Sequence, residues 1–324
     1  MKKRFAFIIL SVLVVLSLAY FGGGYMVYDR LSKIDPPAKE ILLNTPASFK
    51  ITYKEYADFD ASPYQMSSYE EVSFPSGQAG INLSGWYIEV DPSAPAVVVT
   101  HGLGASKKDA NLLIPAGMLA RNGFNILIYD LRNHGQSDHD NGRTSIGNKE
   151  YQDVLGAWDW LIKVKGYSPE RIGLYGVSLG GGTTLDAFGE EPQVAAAFVD
   201  SPFANLPEIM TAELAKNGYP TFLTTPAVIM ARVVANEDLL AHSPTEAIYN
   251  DNGRPLYIVH GTGDERISVN QTLELKALAQ ETNANLTTWI PEGVGHVGGV
   301  FVYPEEYEQR MVNFFQEALK DSVE

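Results

Sequence analysis

Apolar positions follow three patterns along this chain, and each predicts a different kind of element. The first is an unbroken run. From Phe5 to Tyr28 no charge interrupts a stretch rich in Leu, Val, Ile and Phe, and as a helix it would extend about 36 Å, enough to cross a hydrocarbon core of about 30 Å. Lys2, Lys3 and Arg4 precede it and the mixed set Asp29, Arg30 and Lys33 follows it. That bias keeps the N-terminus in the cytoplasm and the rest of the chain outside. A cleaved signal peptide is the competing reading, because Ser17 and Ala19 are small residues at suitable spacing. The apolar character continues through Tyr20, Phe21, Tyr25, Met26, Val27 and Tyr28, which favours a retained anchor. Retention makes this a single-pass protein of the cell membrane with an extracytoplasmic main domain; cleavage would make it secreted. Asp35-Pro36-Pro37 cannot continue a helix, so residues 1–35 read as anchor and linker and residues 36–324 as the main domain.

The second pattern is a series of short apolar runs. Ala94–Thr100, Phe124–Tyr129, Arg171–Leu174, Val194–Val199, Arg254–His260 and Leu286–Ile290 each read as a strand, and the β-branched run Ala94–Thr100 as one buried on both faces. Between several of them lie segments of helical spacing, such as Asn111–Asn122, Gly147–Lys165 and Glu305–Leu319. In Gly147–Lys165 the apolar positions are Tyr151, Val154, Leu155, Trp158, Leu161 and Ile162. Such alternation predicts right-handed parallel crossovers, hence an α/β fold with a doubly wound, mostly parallel sheet whose strand ends gather at one edge. Glu70–Phe74 and Ile81–Val90, joined through Ser76-Gly77, predict antiparallel strands leading into it. The third pattern breaks the alternation. About 203–242 carries two amphipathic pieces punctuated by Gly218-Tyr219-Pro220 and Pro226, while the stretch from the linker to Tyr69 is irregular and suggests no chemistry.

Composition narrows the choice of function. A chain of 324 residues buries a large core, and a formal charge of −15 without a basic run beyond the N-terminus excludes nucleic acid as a partner. The absence of cysteine excludes disulfides, thiolate metal sites and a cysteine nucleophile. His139 stands between Asp138 and Asp140 without further ligands at usable spacing, which describes a solvated loop, and no metal or cofactor is expected.

One junction does suggest chemistry. Tyr175-Gly176-Val177-Ser178-Leu179-Gly180 follows a predicted strand and leads into a predicted helix. A turn this tight forces Ser178 into a strained conformation, and side chains at the flanking glycines would collide with their neighbours. The hydroxyl is lifted to the end of the sheet, and the Leu179 N–H at the new helix start faces any oxyanion formed there. An ordinary Gly-rich turn has the same composition, so the rest of the chain must decide. His101-Gly102-Leu103-Gly104 ends one strand; its glycines let the backbone approach a ligand, which makes the Leu103 N–H a second candidate donor, while His101 reads as a residue that shapes the loop. Asp130-Leu131-Arg132-Asn133-His134-Gly135-Gln136-Ser137 ends the next.

His-Gly, Asp-Leu-Arg-Asn-His-Gly-Gln-Ser and Gly-Val-Ser-Leu-Gly, each after a strand and in this order, resemble the α/β-hydrolase superfamily over about residues 70–320. The nearest branch is that of esterase-like and prolyl oligopeptidase-like bacterial hydrolases. The resemblance implies that the Asp130–His134 segment is structural, that 203–242 is a helical cap, and that Ser178, Asp264 and His296 form a triad in the order serine, acid, histidine. Glu265 is the weaker alternative acid, and His260 is expected to be structural. Within the cap region Phe203, Met210, Phe222 and Met230 are candidates for an acyl or aromatic pocket, with packing an equal account of each. The expected activity is cleavage of a carboxylic ester or related acyl bond, on a small acyl substrate, through an acyl-enzyme. A peptidase acting on short peptides and a non-catalytic binding protein of the same fold are the alternatives, and the second would usually have lost a triad member.

Overall fold

The computed structural model describes residues 2–34 and 41–319, so the linker expected at Asp35-Pro36-Pro37 lies outside the described residues. They fall into two compact units. One comprises Ile34–Ala204 with His242–Glu324; the other joins Met1–Lys33 to Asn205–Ala241. Sequence order separates the N-terminal helix from Asn205–Ala241, whereas the structure groups them.

In the larger unit, strands β1 (Glu70–Pro75), β2 (Asn82–Ile88), β3 (Ala96–Thr100), β4 (Asn125–Tyr129), β5 (Ile172–Val177), β6 (Ala196–Asp200), β7 (Leu256–Val259) and β8 (Leu286–Trp289) form one sheet in the order β1-β2-β4-β3-β5-β6-β7-β8. The pairs β1–β2 and β2–β4 are antiparallel and all others parallel. The β-branched run of β3 is buried at every position, as expected of a central parallel strand. Alternate residues serve opposite faces: Val97 and Val99 join one core layer, and Val98 joins the other.

In chain order the helices are α1 (Lys2–Ser32), α2 (Ala110–Arg121), α3 (Tyr151–Lys163), α4 (Leu179–Glu190), α5 (Leu206–Lys216), α6 (Thr224–Ala235), α7 (Glu246–Tyr249), α8 (Asn270–Thr282), α9 (Gly299–Val302) and α10 (Pro304–Ala318). Residues of α2 and α10 build the first core layer, and residues of α3, α4 and α8 build the second. The doubly wound architecture expected from the alternation is the one observed, with element ends displaced by a few residues.

The irregular segment before β1 is closely packed. A Cβ at Gly117 of α2 would stand 2.0 Å from the Tyr64 carbonyl oxygen, Tyr56 stacks on Phe301 with centroids 4.4 Å apart, and the Tyr53 hydroxyl donates to Asp109 Oδ1 at 2.7 Å. Burial, then the carboxylate beside it, pushes the Tyr53 hydroxyl far up in pKa. Asp109 and Phe301 flank the loops that follow β3 and β8, so this segment braces the edge where the strands end.

Candidate active site

Ser178 has φ 56° and ψ −122°, a region that side chains other than glycine rarely occupy. Its neighbours leave no room for relaxation. A Cβ at Gly176 would stand 2.3 Å from the Gly180 carbonyl oxygen, and one at Gly180 would stand 2.4 Å from the His101 carbonyl oxygen. The Ser178 N–H donates to the Asp200 carbonyl at 2.8 Å, tying the turn to β6. Leu179 is the first residue of α4, so its N–H has no carbonyl one turn back to bond and points out of the helix start.

The Ser178 hydroxyl lies 2.9 Å from His296 Nε2, and His296 Nδ1 lies 2.7 Å from Asp264 Oδ2. A carboxylate only accepts, so Nδ1 carries the proton and Nε2 is free to accept from the serine. Asp264 is fully engaged: its Oδ1 accepts from the Arg266 and Ile267 N–H groups at 2.8 and 2.9 Å. His260 Nε2 stands 3.2 Å from Oδ2 and 2.9 Å from the Ile267 carbonyl, sharing one N–H between them, while Nδ1 accepts from the Thr272 hydroxyl at 2.7 Å. Burial raises the Asp264 carboxyl, but the hydrogen bonds from His260 and His296 outweigh it and hold the group well below the usual carboxylate range. Glu265 is exposed, and the bond to His296 is made by Asp264.

The loop after β3 is held by two histidines. His101 Nδ1 donates to the Gly102 carbonyl at 2.7 Å and Nε2 accepts from the Leu131 N–H at 2.9 Å; His134 Nδ1 donates to the Arg132 carbonyl at 2.9 Å and Nε2 accepts from the Gly104 N–H at 3.3 Å. Both are buried and both are neutral in this arrangement. Burial, then the facing His134 ring, lowers the His101 pKa to about 3, and burial lowers that of His134. Asp130 accepts from the Lys107 and Gln136 N–H groups and pairs with the Lys107 ammonium at 3.1 Å, and Arg132 is paired with Asp153 at 2.7 Å, all within the interior. Gly102 lies against Ser178, since a Cβ there would stand 3.1 Å from Ser178 Cβ. Leu103, half-buried, is the next residue on this loop.

A second network escapes sequence reasoning. The Ser201 hydroxyl donates to Asp200 Oδ1 at 2.8 Å and accepts from the Val297 N–H at 3.2 Å, while the Tyr307 hydroxyl donates to Asp200 Oδ2 at 2.9 Å. Tyr307 has thereby used its proton, so Tyr175, 2.9 Å away, is the donor between the two phenols. Ser201 and Val297 both have φ 51°, a genuine outlier for a β-branched residue. The network fixes the residue after His296 and so the direction of its ring. The only signal in the sequence was Asp200-Ser201 at a strand end, which by itself resembles any polar turn.

The profile of the prolyl oligopeptidase family matches residues 115–322, well over half of the chain. The chain belongs to the prolyl oligopeptidase family. Among curated relatives, the uncharacterized protein YfhR of Salmonella typhi is 27% identical over 77% of this chain and 82% of its own length. A thiohydrolase, aneE, of Aspergillus aculeatus is 34% identical over 37% of each chain. Among solved structures, an esterase of Pyrococcus furiosus superposes with a TM-score of 0.65 at 23% identity, covering 88% of this chain and all of that one (100%). The acylaminoacyl peptidase of Pyrococcus horikoshii gives 0.61 at 20% identity, covering 79% of this chain and 43% of that one. This prolyl oligopeptidase family member thus has the α/β-hydrolase fold expected from its motifs.

The four pocket candidates belong to both units, Phe203 to the larger and the other three to the smaller. Phe203 is buried with its ring against Gly182, where a Cβ would stand 2.3 Å from its Cε1. Met210, Phe222 and Met230 belong to the smaller unit: Met210 is buried, Met230 half-buried, and Phe222 is exposed and stacked on Tyr20. His139 is exposed. The ligand atoms of Glu190, His242 and Glu246 lie within 4.8 Å of one another, and His242 Nδ1 is bonded to Glu190 at 2.8 Å.

Proposed function

We propose that this family member is a serine hydrolase that cleaves carboxylic esters or related acyl bonds through Ser178, His296 and Asp264. The observation that carries the reading is the unbroken set of contacts from the Ser178 hydroxyl through His296 to Asp264. As Oγ attacks the carbonyl carbon, Nε2 takes its proton, and Asp264 stabilises the imidazolium. The N–H groups of Leu103 and Leu179 receive the oxyanion. His296 then returns the proton to the leaving oxygen, an acyl-enzyme forms, and a water activated by the same imidazole releases the acid. No metal or cofactor takes part in these steps. The neutral state of His101 keeps a buried positive charge away from the catalytic imidazole.

An ester substrate is favoured over a peptide because the superposition on the esterase spans that whole chain, whereas that on the acylaminoacyl peptidase spans 43% of it. Labelling by a fluorophosphonate probe, followed by a panel of p-nitrophenyl esters of graded acyl length and of aminoacyl-peptide amides, tests both readings. Turnover confined to the amides would replace the esterase reading with the peptidase one. Absence of both labelling and turnover in folded protein would leave the non-catalytic alternative.

The same proposal places the catalytic unit outside the cytoplasm, held by α1. This helix has an 18-residue window of mean hydropathy 2.5 with none of it buried. Sequencing the N-terminus of mature protein tests retention, and a start at Tyr20 would make the protein secreted.

A further inference from the structure

The smaller unit packs α1 against α6 with unusually little between them. A Cβ at Gly24 would stand 2.6 Å from the carbonyl carbon and Cβ of Pro226, and one at Gly23 would stand 3.1 Å from Leu223 Cδ2. Small residues that let two helix backbones approach are characteristic of contacts made within a bilayer. Tyr20 stacks on Phe222 with centroids 6.3 Å apart, and at the other end the Tyr28 hydroxyl donates to buried Glu237 at 3.0 Å. The contacts advance together, 20 with 222, 24 with 226 and 28 with 237. Helix α6 therefore runs in the direction of the last turns of α1, with its N-terminal end level with Tyr20.

This pairing fixes a depth. If the hydrocarbon core begins at Phe5, about 20 helical residues cross about 30 Å and the outer boundary falls near Tyr25. Tyr20 then lies about 7 Å inside that boundary, and anything packed on Tyr20 and Gly23 lies at a similar level. The polarity of the cap segment follows the same axis. From Tyr219 to Ala231 there is no charged residue, and the first charges are Arg232, Glu237 and Asp238, at the end next to Tyr28. Tyr219, Phe222, Ile229, Val233 and Val234 are 52%, 64%, 41%, 72% and 53% exposed, an apolar surface beside that of α1.

We propose that residues 219–234 form a second membrane contact, dipping from the outer interfacial layer into the bilayer that α1 crosses, with Phe222 just inside the hydrocarbon boundary and the exposed Arg232 and Asp238 in water. The proposal rests on the reading of α1 as a retained anchor. Lipid, rather than a second copy of the chain, is the occupant because the depth set by Tyr20 and Gly24 and the gradient of charge agree in direction. An exposed amphipathic surface of this kind gains by immersion in the headgroup and acyl boundary.

The chain has no cysteine, so single reporters are readily placed. Full-length Val12→Cys, Phe222→Cys and Val233→Cys, each carrying an environment-sensitive dye, are reconstituted in phosphatidylcholine vesicles with and without bromine on the shallow part of the acyl chains. The expected result is loss of most of the emission at Phe222, a smaller loss at Val233, and quenching at Val12 with bromine placed near the bilayer centre. Val233 is a reporter that leaves the Tyr20 stack intact. Quenching at Val12 with none at Phe222 or Val233 would overturn the second contact and leave the anchor standing. No quenching at Val12 would overturn the anchor and the contact together. Dye self-quenching at Phe222 that rises with protein density, without sensitivity to bromine, would assign the surface to a second copy and overturn the proposal.

Discussion

Ser178, Asp264 and His296 are far apart in the chain, yet each is held by local chemistry that allows few substitutes. The Ser178 turn depends on glycines packed against carbonyl oxygens, and Asp264 on four donors converging on its carboxylate. Ser178→Ala removes one oxygen from a buried turn, so the melting temperature should be retained while kcat falls by roughly 10⁴-fold or more. Near-wild-type turnover by the folded variant would end the serine mechanism. Asp264→Asn should lower kcat severely, since an amide neither holds the productive tautomer nor stabilises the imidazolium, and Glu265→Gln should be mild. Measuring both on one ester at saturation checks the ranking, and the reverse order would move the acid to Glu265. The two carboxylates are adjacent in sequence and their difference is not written there; it lies in which one is buried beneath His296.

Among the elements, the central strands and crossover helices were legible from apolar spacing because burial on two faces leaves a continuous run and burial on one face leaves a helical repeat. The segment from 41 to 69 was not legible, since its partners are distant and its own pattern has no period. It is nonetheless fixed to α2 through Gly117, where a side chain would strike the Tyr64 carbonyl. Gly117→Ala raises helix propensity and should still lower stability, by about 1–3 kcal/mol, because overpacking against a backbone outweighs the propensity gain. Chemical denaturation of the variant checks this, and a stabilised protein would show that the contact gives way freely.

On the scale of the whole molecule, buried titratable groups set opposing responses to pH. His101 has a folded pKa of about 3 against an ordinary 6.5, so the unfolded chain takes up a proton that the folded chain refuses. Its contribution to stability is therefore lost as pH falls from 6.5 toward 3, at about 1.4 kcal/mol per pH unit. Ring resonances of His101 should show no titration down to about pH 4 in folded protein. Asp186 has the opposite sign. Burial, then Glu246, Glu150 and Glu190, holds its carboxyl well above the ordinary value, and its Oδ1 has no hydrogen-bond partner among the described residues. That contribution is present below the unfolded carboxylate pKa and is lost as pH rises through the folded value. Asp186→Asn should accordingly raise the melting temperature relative to wild type by more at about pH 8 than at about pH 4. A pH-independent difference would show that Asp186 does not titrate against the fold.

The sequence by itself determined the sheet, its winding and the edge at which its parallel strands end, because these follow from which residues water rejects and from how short connections must turn. It also singled out Ser178, since a serine between glycines at a strand end has a steric meaning that survives without coordinates. Tertiary structure alone decided what depends on convergence from distant positions. Asp200, Ser201, Tyr175 and Tyr307 meet behind the His296 loop from β5, β6 and α10. Gly24 and Pro226, about two hundred residues apart, join the N-terminal helix to α6. No periodicity encodes such meetings, because a side chain satisfied by a distant partner has the same local pattern as one satisfied by water.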